Sequence, residues 1–140
     1  MTNLRFGWIA LAFFIAMGLF LESLHLVKLP MYFEVEIRRE LWTLAHAHGA
    51  LLAIVNVVFA LCARQFAWVS GRAVWAGRLL MAAAVLVPTG FFLGGFGNSE
   101  SDPSLWIVLT PLGALAALLG VILTFAETWL AGRSGAKLSE

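Results

Sequence analysis

Charge is what this sequence has least of: Asp, Glu, Lys and Arg make up 12% of its 140 residues, against 61% hydrophobic ones. With so little charge and a mean hydropathy of +0.91, the chain falls outside the soluble class and reads as one compact membrane domain, residues 1–140. Its basic residues are dispersed and its formal net charge is only +1, so nothing points to a nucleic-acid partner. The lone cysteine, Cys62, excludes an intrachain disulfide and a cysteine-rich metal site. Also missing are Cys-x-x-Cys, His-Glu-x-x-His and Gly-x-Gly-x-x-Gly patterns, and no serine stands in a nucleophile-elbow context. Zinc hydrolysis, phosphate binding and dinucleotide binding therefore have no motif to rest on.

What the sequence does have is long apolar runs. Crossing a bilayer core of about 30 Å takes roughly 20 apolar residues in a helix. Four stretches qualify: Phe6 to Leu26, Trp42 to Ala63, Val74 to Phe96 and Leu105 to Leu130. The first has Arg5 before its apolar run, as a signal peptide does, but no small-x-small cleavage site follows, so it reads as a retained span. No internal repeat interrupts the pattern. Short connections predict an all-α, integral membrane, up-and-down four-helix bundle.

Lys and Arg near span ends set the orientation. With the N-terminus inside, Arg5, Arg64, Arg72, Arg78, Arg133 and Lys137 lie on the inner side, and Lys28, Arg38 and Arg39 on the outer. Both termini are thus expected in the cytoplasm, with the acidic stretch Asn98 to Pro103 and the loop from Val27 to Leu41 facing out. This gathers polar groups in the outer half of the bundle. Glu22 and His25, three residues apart on one helix face, end the first span, and His46 and His48 open the second. The third span ends outside in a Gly-rich segment, with Gly90, Phe91 and Phe92 about a turn deeper.

An imidazole inside a span is costly without a partner, which makes it a functional candidate. At about 100° per residue, His46 and His48 point nearly opposite ways, so they cannot chelate one ion from the same helix. They must serve different partners. Asn56 falls about 80° from each, two to three turns deeper. A small His-containing bundle rich in Phe and Trp suits a flat, apolar macrocycle held by one axial imidazole.

Trp42-x-x-Ala45-His46 opening a span, Gly90-Phe91-Phe92-Leu93 in the third, a polar loop with Asn98 and Asp102-Pro103-Ser104, and an Ala/Gly/Leu-rich fourth span together resemble the styrene oxide isomerase and hydroxylaminobenzene mutase-like membrane proteins. The resemblance covers most of the chain. It implies haem b bound through His46 at a contact between subunits of a homotrimer in a bacterial inner membrane; Trp42, His48 and Gly90 are the further candidates for cofactor contact, His48 without a counterpart in the family. It also implies that ferric iron acts as a Lewis acid on the oxygen of a small apolar epoxide or N-oxygenated substrate. Phe92 stands where the isomerases carry tyrosine, their aspartate and asparagine of the third span fall on the apolar stretch around Ala84 and Pro88, and an asparagine of their second span falls at Leu52, one turn before Asn56. These departures bear on the substrate chemistry rather than on the iron ligand.

Each candidate has a plainer role beside the functional one. His46 is an axial ligand or hydrogen-bonds Glu22 or a backbone carbonyl at a helix contact. Glu22 and His25 orient the ligand imidazole or relay protons, or form an interfacial pair facing headgroups. Asn56 contacts substrate or ties helices together. Tyr32 is a lid donor or an interface tyrosine, and the six tryptophans, Trp42 among them, suit a membrane-interface belt. Gly90 and the glycines after it allow close backbone approach, as in helix packing. Asn56, Phe92 and Tyr32 are the candidates for catalytic contact. Two other functions fit the same residues: a haem protein for electron transfer or gas sensing with two axial histidines, and a cofactor-free accessory subunit.

Overall fold

The computed structural model describes residues 2–97 and 102–136, with side chains as far as Ala131. Asn98 to Ser101, which carry part of the acidic loop, and Lys137 lie outside the described residues, as does the side chain of Arg133. The described residues form helices α1 (Thr2–Leu26), α2 (Pro30–Phe33), α3 (Glu36–Gln65), α4 (Gly71–Gly94) and α5 (Leu109–Ala136), the last entered through a 3-10 turn at Leu105–Val108. Four of these helices are long and apolar enough to cross a membrane.

Local chemistry accounts for the helix ends. Ser70 caps α4, its Oγ accepting from the Ala73 amide at 3.1 Å. Pro30 opens α2, where its fixed φ suits a first turn and its missing N–H costs nothing. Glu36 in the first turn of α3 and Arg64 in its last complement the helix dipole. The α4 terminus is closed from beyond the loop: the Ser104 amide donates to the Gly94 carbonyl at 2.9 Å and the Ser104 hydroxyl to that of Leu93 at 3.0 Å.

Packing runs chiefly α1 on α3, α3 on α4 and α4 on α5, with α1 only brushing α4. The contacts are built on small residues. Ala45, Ala53, Ala76, Ala83 and Ala84 are all buried, and Gly49 faces the Phe14 ring so closely that a Cβ there would come within 2.3 Å of it. Close backbone approach at small side chains is how helices associate where lipid removes the usual hydrophobic drive. Large apolar side chains point outward instead: Ile9, Leu19 and Phe125 are well exposed. Hydrocarbon surroundings make that arrangement stable, whereas water would not.

The elements differ from the sequence expectation at one end. The segment from Val27 to Leu41 reads as a loop, yet it contains α2 and the first turns of α3. A four-residue turn has no periodicity to detect, and its stability comes from one buried ring, that of Tyr32.

Candidate functional site

Two buried polar ties sit away from the histidines and hold the helices in place. Asn56, fully buried, donates from Nδ2 to the Leu52 carbonyl at 2.9 Å and to that of Leu80 at 3.0 Å, and its Oδ1 accepts from Asn3 Nδ2 at 2.9 Å. The same Asn3 amide donates to the Gly77 carbonyl at 2.8 Å, so α1, α3 and α4 share one network. At the Ser70 end of α4, the Glu127 carboxylate accepts from Ser70 Oγ at 2.5 Å and from Arg72 Nε at 2.8 Å.

The other polar groups gather where α1, α2 and α3 meet. His46 is placed by its helix against α1. Its Nδ1 lies 2.7 Å from the Phe14 carbonyl oxygen. A carbonyl only accepts, so Nδ1 carries the proton and, in the neutral ring, Nε2 holds the lone pair. The approach depends on Gly18: a Cβ there would come within 2.5 Å of the imidazole Cε1. The partner that orients the ring is thus a backbone carbonyl and not Glu22.

His46 lines an open cavity of about 290 Å³ with Gly18, Glu22, His25, Tyr32 and Thr43, walled otherwise by Ile15, Leu19 and Leu21. Through His25 and Thr43 it borders a second groove of about 450 Å³, lined also by Arg39, Glu40 and Leu44. Glu22 and His25, paired on one face by their spacing, do face this cavity together. Among the described residues no group of three or more His, Cys, Asp and Glu side chains forms a metal-ion site, so any metal centre here would need a cofactor's own ligands beside one imidazole.

Behind the cavity stands an aromatic stack. Trp42 lies between Tyr32, at 5.7 Å and 26°, and Phe92, at 5.0 Å and 24°, and donates from Nε1 to the Phe92 carbonyl at 3.0 Å. His25 meets the Tyr32 ring edge-on at 5.1 Å. Arg38 clasps the stack from above, with Nε on the Gly95 carbonyl at 2.8 Å and its guanidinium 6.0 Å from the Trp42 ring. Tyr32 is 0% exposed and Trp42 3%, so neither sits in an interfacial belt. Trp8, Trp75, Trp106 and Trp129, each more than half exposed, do have the exposure a belt requires.

The remaining candidates lie elsewhere. His48 faces α4: its Nδ1 donates to the Leu44 carbonyl one turn back at 3.0 Å and its ring packs 5.0 Å from Phe91. Gly90 serves the contact with α5, where a Cβ would meet Thr110 Oγ1 at 2.5 Å. Phe92 belongs to the stack rather than to the cavity wall. Asn56 is committed to its ties. Asn3, Phe14 and Gly18 did not stand out in the sequence. Gly7 and Gly18, eleven residues or about three turns apart, mark one face of α1, and that spacing was the available signal. No protein-family model, curated protein or solved structure matches this chain.

Proposed function

We propose that this chain is a haem b-dependent membrane isomerase acting on a small apolar epoxide or N-oxygenated substrate, in which His46 would hold the iron. The observation that carries the reading is the Nδ1 bond from His46 to the Phe14 carbonyl. An imidazole that ligates a metal through one nitrogen characteristically donates from the other to a carbonyl or carboxylate, which fixes its tautomer and orientation. What supports the fit is His46 on the cavity wall with Nδ1 committed to Phe14, apolar side chains beside it, and Arg39 along the adjoining groove. The cavity of about 290 Å³ alone is smaller than a porphyrin, so the group would extend into the groove of about 450 Å³, past Glu22 and Glu40.

Ferric haem held there supplies a Lewis acid for the substrate oxygen. The chain's own groups do the rest. Phe14 fixes the imidazole, Gly18 admits it, and Ile15, Leu19 and Leu21 keep water from the reacting oxygen. Because Glu22 is exposed beside an open groove, a neighbouring copy covering this face would complete the pocket, and the resemblance makes that assembly a trimer. Positive charge near the span ends supports both termini in the cytoplasm and the cavity in the outer half, and the resemblance supports a bacterial inner membrane.

Absorption spectra of the detergent-purified protein test the reading. A Soret band is expected, abolished in His46→Ala and kept in His48→Ala. A band unchanged in His46→Ala would overturn it. A second reading, favoured by the close fit of the imidazole over Gly18, is a cofactor-free subunit in which His46 only ties α1 to α3. A colourless preparation selects that one. A low-spin spectrum lost in His25→Ala as well would instead select a two-histidine electron carrier, since His25 lines the same cavity.

A further inference from the structure

Among the described residues, three buried side-chain polar atoms lack a hydrogen-bond partner: Tyr32 Oη, Trp68 Nε1 and Thr110 Oγ1. Of these residues, Tyr32 lines the cavity that His46 also lines. It is the chain's single tyrosine, fully buried, and its ring is held by Trp42 on one face and His25 at its edge. Leaving a hydroxyl unsatisfied away from water is destabilising, and phenylalanine would fill the same space without that cost. A phenol kept in such a place needs an acceptor that arrives from outside the chain.

We propose that Tyr32 is the specificity-determining donor of the cavity: its hydroxyl donates to the oxygen of a ligand with an apolar, ring-sized body. The walls dictate that chemistry. Ile15, Leu19 and Leu21 take the hydrocarbon part, and a phenol is a better donor than acceptor, so the ligand brings an acceptor oxygen rather than a second donor. Since the hydroxyl is closed to solvent, a small turn of the ring toward the cavity accompanies binding. A site built around one hydrogen bond rejects the analogue that lacks the acceptor, which leaves the donor unpaired. The inference rests on the cavity being the substrate site and not on iron being there.

The test compares two probes of nearly equal shape, styrene oxide and cyclopropylbenzene, in which a methylene replaces the epoxide oxygen. Binding to the purified protein is read from quenching of tryptophan fluorescence, with Trp42 against the Tyr32 ring, and thermal unfolding is measured alongside. Wild type is expected to favour styrene oxide about tenfold, the value of one net hydrogen bond. Tyr32→Phe should bind both probes alike and unfold at a higher temperature than wild type. A purely structural tyrosine would not link these two opposite changes. Equal binding by wild type, no saturable binding of either probe, a preference kept in Tyr32→Phe, or a lowered unfolding temperature in that variant would each overturn the proposal. His46→Ala separates this from the iron reading: loss of the Soret band with the oxygen preference kept shows two independent functions of one cavity. Absence of the band in wild type together with that preference sinks the haem and leaves Tyr32 in its role.

Discussion

At the scale of single residues, the surroundings of one imidazole set what the cavity can hold. His46 stands out in the sequence because an ionisable group interrupts an apolar run, and the helical angle alone separates it from His48. A backbone carbonyl was one of the partners expected of it; which carbonyl was not legible. A backbone carbonyl on another helix leaves no trace in residue types, and Gly18 gains its meaning only when α1 lies against α3. A methyl group at Gly18 would come within 2.5 Å of the ring, so Gly18→Ala should displace the imidazole and, on the haem binding proposed above, lose the Soret band as fully as His46→Ala does. Gly71→Ala is the matched control, because a Cβ there meets nothing within 4 Å and the band should stay. Absorbance at equal protein concentration reads both. A Gly18→Ala protein with its band intact would separate pigment from the orientation described here.

At the scale of elements, the four long helices were recoverable from the run lengths of apolar residues, since nothing else crosses hydrocarbon with its backbone satisfied. The helix α2 was not. Its formation depends on Tyr32 being buried against Trp42, a contact between residues whose aromatic character by itself suits a membrane interface equally well. Asn56 shows the converse. Its depth was foreseen and both readings of it were open; the coordinates give it three hydrogen bonds reaching α1, α4 and its own helix. Asn56→Ala would remove the ties to the Leu80 carbonyl and the Asn3 amide, leaving the first its bond within α4 and the second its bond to the Gly77 carbonyl. It should cost roughly 1–2 kcal/mol, the upper part of the range for interhelical hydrogen bonds in bilayers. Unfolding in mixed micelles with increasing SDS measures this, and the Soret band of the folded fraction should be unchanged. A catalytic Asn56 would instead lose turnover at unchanged stability.

At the scale of the whole molecule, the order of packing decides which surfaces are open. With α1 on α3, α3 on α4 and α4 on α5, the side of α1 away from α4 is left uncovered, and the His46 cavity opens there. Orientation in the bilayer follows from charge and can be checked directly. In a Cys62→Ser background, Val69→Cys, at an exposed position between α3 and α4, should react with a membrane-impermeant maleimide only after the cells are opened. Lys28→Cys, exposed between α1 and α2, should react in intact cells. The reverse pattern would put the cavity in the inner half and remove the positive-inside argument.

Run length and hydropathy were enough to specify a helical chain with four segments able to cross a bilayer, because the hydrocarbon thickness and the need to pair every backbone group admit few alternatives. Helical angle was enough to part His46 from His48. Which groups share a cavity depended instead on how α1, α2 and α3 come together. Contacts between a ring nitrogen and a distant carbonyl, or between a phenol and the indole it stacks on, are set by three-dimensional packing that one-dimensional periodicity does not encode.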